Sequence, residues 1–425
     1  MEDIRTTSPT AERDVPEALQ APTRPASIGF TIGITAGTVA LFLCYIGVLS
    51  LLLPLQISLL APANKVAVFS LFTGISVLIA VVANPLGGAL SDRTTSRFGR
   101  RRPWIFAGAV FMAVSLLIMR QAGSLALLFV GWCGIQLFSN FALAAITATI
   151  PDQVPENQRG TISGIYGLAI PLAGILGAII VGQVFKAAPT NAYLVMIVLV
   201  LLANIPLTLF LHDKVLPKGY FPPFRLREFL RGFWINPRRY PDFGWAWLSR
   251  FIPSIGSFMA TNYMLYYLQD AVKYPSPVQG ASTFTIISTA VIIVSTLLGG
   301  FLSDRLQQRK IFVIVSVILL AVSMFLLAFF QTWQFVRIAA TVLGFGFGAF
   351  LAVDIAIITL VLPSAESRAK DMGVANIAST LPQVLVPVIA GAILGLFHSY
   401  TLLFLVTGII VLLGSIVVVP IKAVR

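Results

Sequence analysis

Hydrophobic residues fall into twelve long runs along the chain, separated by short polar stretches. Each run is a near-continuous series of Leu, Ile, Val, Ala and Phe with small residues between them. Runs of about 20 such residues are long enough to cross a hydrocarbon core as helices. They cover residues 29–53, 66–90, 104–122, 125–150, 161–186, 191–211, 243–269, 279–302, 311–330, 335–362, 372–396 and 401–421. The sequence lacks the alternating pattern of membrane barrels, so we predict an all-α membrane protein with 12 transmembrane helices.

Composition agrees with a protein that lies mostly in lipid. The chain is 57% hydrophobic and only 11% charged, whereas soluble domains are about 25% charged. This excludes soluble enzymes, secreted disulfide scaffolds and disordered proteins. The net charge of +13 is explained by topology, because one set of loops and tails holds 23 of the 29 bases and the other set holds 4. Lys and Arg mark the cytoplasmic side, so we expect both termini in the cytoplasm and no binding to nucleic acid.

The ends of the chain and its cysteines add little chemistry. Residues 1–28 contain four prolines and both charge signs without an apolar core, so they predict a flexible cytoplasmic tail and not a signal peptide. Cys44 and Cys133 stand alone within spans, in no metal-binding or disulfide pattern. We expect no cofactor and no metal. The compact loops favour a bacterial plasma (inner) membrane, and we expect a monomer in contact with membrane lipids.

The chain repeats itself after half its length. The stretch Gly87–Arg93 reads GGALSDR and the stretch Gly299–Arg305 reads GGFLSDR, so six of seven positions are identical at a spacing of 212 residues. Each copy closes the second helix of a six-helix half, an arrangement found in transporters with parallel repeats. We therefore divide the chain into a tail, an N-terminal bundle, a cytoplasmic linker, a C-terminal bundle and a short C-terminus: 1–28, 29–211, 212–242, 243–421 and 422–425.

The duplicated Gly-x-x-Ser-Asp-Arg motif resembles the signature loop of the major facilitator superfamily. The longer stretch 91–105, SDRTTSRFGRRRPWI, is similar to the sucrose–proton symporters and their animal relatives in the glycoside-pentoside-hexuronide branch. A second block, AKDMGVANIA at 369–378 followed by LPQ at 381–383, resembles the same group. The resemblance implies two pseudo-symmetric six-helix bundles around a central cavity, lined by spans one, four, seven and ten.

The duplicated loop is expected to act as a cytoplasmic gate. Asp92 ends span two, where its carboxylate can accept hydrogen bonds from the N-terminus of another helix. The resemblance places that helix at the start of span eleven, and the repeat places Asp304 against span five near residues 160–161. Small residues at Gly87 and Gly88 would allow close approach. The gate residues are then Gly88, Asp92, Arg93, Gly99, Arg100, Asp304, Arg305 and Asp371. The charges of the loop could instead serve only to set topology, and Arg100, Arg101 and Arg102 are expected mainly to anchor lipid headgroups.

One carboxylate lies well inside an apolar run. Asp354 in span ten and Arg250 in span seven lie at nearly the same depth from the cytoplasmic side. Charges within the membrane are costly and often functional, so we expect the two to face each other and to couple proton movement to substrate. A permanent structural ion pair is the open alternative. The remaining candidates for substrate binding, besides Arg250, are Asn140, Asn262, Tyr263, Tyr266, Asn376 and Gln383, although tyrosines near a span end can also form an interfacial belt.

The sequence thus predicts a secondary transporter that moves a small-molecule substrate, a sugar or glycoside, in symport with protons. Two other functions are compatible with the same fold. The protein could export drugs, lipids or metabolites by proton antiport, or it could be a receptor or assembly factor that transports nothing. A membrane enzyme is not expected, because the sequence has no clustered histidines or paired acids that could form a catalytic centre.

Overall fold

A computed structural model describes residues 22–23, 25–217, 240–306, 308–360 and 368–421. Most of the predicted tail and linker and the last four residues lie outside this range, so these parts of the domain division stay predictions. The described residues form twelve helices, named α1 to α12: Ile28–Leu60, Lys65–Asp92, Arg102–Arg120, Leu125–Gln153, Glu156–Val184, Ala192–Phe210, Pro241–Asp270, Pro277–Leu306, Arg309–Phe329, Trp333–Leu360, Arg368–Phe397 and Tyr400–Val417.

Eleven of these helices are long and apolar enough to cross a membrane. The remaining helix, α7, has 30 residues and is also long enough to cross a membrane, but Asp242, Arg250 and Asp270 make it more polar than the others. Large apolar side chains such as Leu78, Leu202 and Leu297 are more than half exposed along the spans. Such side chains face lipid in a membrane protein, so the chain is an integral, multi-pass membrane protein.

Two helix boundaries differ from the prediction by at least five residues. The first span does not end near residue 53 but continues to Leu60, through a wide π-helical turn at Val48–Leu52 that precedes Pro54. A proline is tolerated at the first turn of a helix, where its missing N–H is not needed. Helix α5 begins at Glu156 and not near 161, because Pro155 precedes its first turn and Glu156 is favourable at a helix N-terminus.

The two halves have the same packing. Within the first half, α2 packs on α4, α3 packs on α4 and α6, and α1 packs on α5 and α6. Each pair has its counterpart six helices later: α8 on α10, α9 on α10 and α12, and α7 on α11 and α12. The halves meet through α2 with α11 and, symmetrically, α8 with α5. The predicted pseudo-symmetric pair of six-helix bundles is therefore confirmed.

The molecule has two chemically different ends. The end that carries the loops 93–101, 154–155 and 211–217 is called the basic face. The end that carries the connections 61–64, 121–124 and 271–276 is called the opposite face.

Candidate functional site

Arg250 and Asp354 form the predicted pair between α7 and α10. Arg250 Nε lies 3.2 Å from Asp354 Oδ2, and the Asp354 side chain is only 4% exposed. Arg250 Nη1 is buried without a hydrogen-bond partner among the described residues. A guanidinium carries five N–H donors, so this one keeps unused donor capacity beside a buried acid. The pair can therefore respond chemically to a change in the charge of Asp354 or to an incoming acceptor.

A polar and aromatic cluster lies in the N-terminal half. The Tyr45 ring on α1 stacks on Trp132 of α4, with ring centroids 5.8 Å apart and planes 14° apart. Trp132 Nε1 donates to Ser76 Oγ at 2.8 Å, and Gln136 Nε2 donates to the same oxygen at 3.2 Å. Our sequence analysis missed Tyr45, Trp132 and Gln136. Gln136 offered a signal, since it is an uncharged polar side chain one turn before Asn140 in an otherwise apolar span.

Two predicted binding residues adjoin this cluster. Asn140 Nδ2 donates to the Gln136 carbonyl at 2.7 Å, and its Oδ1 accepts a longer bond of 3.4 Å from Asn84. Gln383 on α11 accepts the Tyr45 hydroxyl at 3.4 Å, which links the two halves. Tyr45, Asn140 and Gln383 are each half-buried, so they keep some access from outside the protein. Together they offer amide and hydroxyl groups next to a flat aromatic surface.

The two candidate tyrosines, Tyr263 and Tyr266, instead connect the two halves at the opposite face. Tyr263 Oη lies 2.7 Å from Ser70 Oγ of α2, and Tyr266 donates to the Lys65 carbonyl at 3.5 Å. The ring of Phe69 meets both tyrosine rings edge to face. Both tyrosines are fully buried, so in this state they do not form an interfacial belt. Asn262 is also buried, and the side chain of Asn376 lies outside the described residues.

Repeat-equivalent serines lie at two points where helices of the two halves approach each other closely. Ser70 and Ser282 are 212 residues apart, the spacing of the duplicated motif. Ser70 Oγ lies 3.0 Å from where a Cβ on Gly391 would stand, and Ser282 would clash with a Cβ on Gly182. Ser282 also donates to the Ala178 carbonyl at 2.7 Å. Helix α2 thus approaches α11, and α8 approaches α5. At each crossing a serine of one half faces a glycine of the other, and these contacts close the opposite face.

The gate loop at the basic face forms an ion-pair network within its own half. Arg101 Nη2 lies 2.5 Å from Asp92 Oδ1, and Arg101 Nε lies 2.9 Å from Asp152 Oδ2. Arg100 Nη2 lies 2.8 Å from the other oxygen of Asp152. Burial alone would lower the pKa of Arg101, but Asp152 and Asp92 raise it above its usual value, so Arg101 stays charged.

These contacts correct one expectation. Arg100 and Arg101 are 5% and 3% exposed, so they are buried ion-pair partners and not anchors to lipid headgroups. The reason is Asp152, which lies beyond the predicted span 125–150 but on the last turn of α4, beside the two arginines. The structure does not describe the side chains of the proposed partners of Asp92 near Asp371, or the side chain of Asp304. Arg93 follows α2 as its C-cap, and Arg305 is exposed.

The paired glycines of each motif copy have different surroundings. A Cβ on Gly87 would lie 3.1 Å from Cα of Phe141, so Gly87 permits close packing of α2 on α4 in the same half. Gly299 likewise faces Ala349 of α10 at 3.3 Å. Among the described residues, no atom outside the backbone of its own helix lies within 4 Å of a Cβ on Gly88 or Gly300. Gly87 was therefore wrongly expected to admit a helix of the other half, and Gly88 admits none in this state.

Gly99 turns the gate loop back toward the first residues after α6. Its φ of +97° lies in the left-handed region, and a Cβ there would collide with the side chain of Asp213. Asp213 Oδ2 accepts the backbone N–H groups of Arg101 at 2.5 Å and Arg102 at 2.9 Å. The carboxylate therefore caps α3, because free N–H groups at a helix start need acceptors. Sequence analysis had assigned Asp213 only to the linker.

Comparison with protein families gives one match that extends over most of the chain. The sequence profile described as Major Facilitator Superfamily matches residues 36–294 and 251–424. Among curated proteins, the chain is 29% identical to sucrose transport protein SUC4 of Arabidopsis thaliana over 118 residues, which are 24% of this chain and 23% of that protein. It is 30% identical to solute carrier family 45 member 3 of Mus musculus over 119 residues, 24% of this chain and 21% of that protein. The chain thus matches less than a quarter of the length of either relative.

Solved structures with the same fold include two transporters. The peptide transporter POT in complex with sulfate superimposes with a TM-score of 0.73 at 13% identity, over 95% of this chain and 96% of that one. A bacterial homolog of the human lysosomal transporter Spinster, in an inward-facing and unoccupied conformation, gives 0.66 at 15% identity, over 94% and 96%. At such identities the likeness concerns the fold alone.

Proposed function

The chain belongs to the Major Facilitator Superfamily and is a membrane transporter, and from this premise we propose that it moves a sugar or glycoside in symport with protons. The observation that carries the proposal is the buried ion pair of Arg250 and Asp354, 3.2 Å apart between two helices of one half. Breaking such a pair by neutralising one member leaves an uncompensated buried charge, which is strongly unfavourable. Protonation of Asp354 would therefore force Arg250 to find another acceptor.

A sugar can supply that acceptor. Once Asp354 binds a proton, the guanidinium of Arg250, whose Nη1 has no hydrogen-bond partner among the described residues, can donate to substrate hydroxyl oxygens. Release of the proton would return Arg250 to Asp354 and free the substrate. Proton and substrate would then be bound and released together, which is the requirement for symport.

The cluster around Tyr45 supports a sugar over other small solutes. A sugar offers hydroxyl groups around its edge and apolar C–H faces, and it is held by polar groups beside an aromatic ring. Tyr45 and Trp132 supply stacked rings, and Asn140 and Gln383 supply amides that can both donate and accept. The short similarity to sucrose transport proteins, 29% over 118 residues, favours the same class.

The two ends of the molecule suggest how access alternates. The halves close on each other at the opposite face, where Ser70 and Ser282 cross glycines of the other half. We propose that the basic face is cytoplasmic, with both termini on that side, and that the structure is closed toward the outside. Gly88 and Gly300 would then be approached by helices of the other half when the cytoplasmic side closes. We further propose a monomer in a bacterial inner membrane, with lipids and protons as its other partners.

Uptake by purified protein in liposomes tests the substrate class. Labelled sucrose, maltose and glucose are supplied with and without an inward proton gradient. We expect at least one sugar to accumulate only when the gradient is present. Equal uptake with and without a gradient would contradict proton coupling, and no uptake of any sugar by folded protein would contradict the sugar assignment.

The variant Asp354→Asn tests the coupling role. It should retain exchange of labelled for unlabelled sugar, because a neutral residue 354 imitates the protonated state, but lose accumulation driven by a proton gradient by about tenfold or more. The matched control is Glu156→Gln, which neutralises an exposed acid at the first turn of α5. Accumulation by Asp354→Asn equal to that by Glu156→Gln would leave the pair with a purely structural role.

A further inference from the structure

Lys65 and Asp270 form an ion pair between the two halves at the opposite face. The Lys65 ammonium lies 2.6 Å from Asp270 Oδ1 and donates a second hydrogen bond of 3.0 Å to Gln269 Oε1. Tyr400, the first residue of α12, donates its hydroxyl to Asp270 Oδ2 at 2.8 Å. Each carboxylate oxygen of Asp270 is therefore occupied, one by the N-terminal half and the other by a helix of its own half.

The lysine of the pair is partly shielded, whereas the Asp270 side chain is 37% exposed. The Lys65 side chain is 17% exposed, and its ammonium lies 5.3 Å from the ring centroid of Tyr266. Tyr266 in turn donates to the Lys65 carbonyl. A cation held against an aromatic face and bound by two oxygens has fewer alternative positions than a free surface lysine, so less freedom is lost when the pair forms.

Both charges lie at the helix ends that disfavour them. Lys65 is the first residue of α2 and Asp270 is the last residue of α7. Helix dipoles favour anions at the N-terminus and cations at the C-terminus, so each residue opposes the dipole of its own helix. Local helix stability therefore does not explain either residue. The ion pair across the halves does, because each charge compensates the other only while α2 and α7 are held together.

We propose that Lys65, Asp270 and Tyr400 are a latch that holds the opposite face closed and must open in each transport cycle. The proposal rests on the alternating access inferred above. Without the ion pair, this face would still be held by the crossings at Ser70 and Ser282 and by the hydrogen bonds of Tyr263 and Tyr266. Loss of the latch is then expected to raise the population open at the opposite face by about tenfold, the effect of a modest change in a two-state balance.

Pulsed electron resonance on the full chain can measure this shift without transport. In a Cys44→Ser/Cys133→Ser background, spin labels at Ala63→Cys and Ser276→Cys report the distance between the halves at the opposite face, where both side chains are exposed. We expect Lys65→Gln and Asp270→Asn each to increase the population with a long distance. Tyr400→Phe, which keeps both charges, should give a smaller increase. The matched control Lys273→Gln removes an exposed neighbouring charge and should give no increase.

A charge exchange separates the latch from simple damage. In Lys65→Asp/Asp270→Lys the pair is restored, and each new charge now agrees with the dipole of its helix. We expect the closed population to return in this variant. The wild-type protein could show both a short and a long distance between the labels, while neither Lys65→Gln nor Asp270→Asn changes the ratio of the two populations. This result would contradict the latch but not alternating access. A single distance between the labels in the wild type and in all variants, with and without sugar, would contradict both the latch and alternating access.

Discussion

At the scale of single residues, the two adjacent glycines of the gate motif are expected to respond oppositely to alanine. Gly87→Ala places a methyl group 3.1 Å from the Phe141 backbone and should lower the melting temperature. Gly88→Ala meets no atom of another described element within 4 Å and should leave the melting temperature unchanged or raise it, because alanine favours a helix over glycine by about 0.5–1 kcal/mol. If another helix must approach Gly88 when the basic face closes, this stable variant should still transport several-fold more slowly.

The second copy of the motif gives an internal control. Gly299→Ala should resemble Gly87→Ala, because Ala349 of α10 occupies the corresponding position. Gly300→Ala should resemble Gly88→Ala in melting and in transport rate. A Gly88→Ala protein that transports at the wild-type rate would contradict the close approach, whatever its stability.

Residue chemistry explains which site residues the sequence could reveal. Asp354 and Arg250 could be paired because a charge inside an apolar run is rare and needs a partner at the same depth. Tyr45 carries no such signal, because tyrosine is common in spans and its direction depends on how α1 rotates against α4. For the same reason Tyr266 was expected in the cavity, yet it lies in the contact between the halves. Side-chain type thus indicates chemistry, while helix packing decides which space a side chain faces.

At the scale of elements, Asp213 is expected to fix the start of α3. Its carboxylate accepts the N–H groups of Arg101 and Arg102, and removal of such a cap costs about 0.5–2 kcal/mol. Asp213→Ala should therefore lower the melting temperature of the purified protein. Because Arg101 also binds Asp92 and Asp152, the variant should loosen the gate loop as well, measured as faster proteolysis after Arg97.

The conservative variant Asp213→Asn keeps one acceptor oxygen and should fall between the wild type and Asp213→Ala. The variant Asp242→Asn is a control for the loss of a negative charge, because it removes an acid from the first turn of a different helix, α7. If Asp213→Ala melted with the wild type and was cleaved no faster, the observed cap would contribute nothing to the element.

Helix boundaries followed from the sequence except where proline misled the pattern. The first span was predicted to end at residue 53, just before Pro54, but the preceding π-helical turn Val48–Leu52 lets the helix continue to Leu60. The polar residues 156–159 indicated a loop, but they form the first turn of α5 after Pro155. A hydropathy pattern finds the apolar centre of a helix. It does not find the polar turns that extend a helix beyond that centre.

At the scale of the whole molecule, the repeat predicted the architecture but not the face that is closed. Two halves with equivalent packing pairs can meet at either end, and the free-energy difference between such states is a few kcal/mol. That difference depends on individual contacts such as Lys65 with Asp270 and Tyr263 with Ser70. Neither contact joins neighbouring segments or repeat-equivalent positions, so no pattern in the sequence indicates it. Symmetry fixes the fold, and its small violations select the state.

The orientation in the membrane is the remaining prediction for the whole molecule. One set of loops and tails carries 23 bases and the other 4, and basic loops resist translocation, so the basic face should be cytoplasmic. In a background without Cys44 and Cys133, a membrane-impermeant maleimide should label Ala63→Cys in intact cells. Asn157→Cys, also exposed but at the basic face, should react only after the membrane is permeabilised. The reverse pattern would invert the orientation, and the proposed latch of Lys65 and Asp270 would then close the cytoplasmic side.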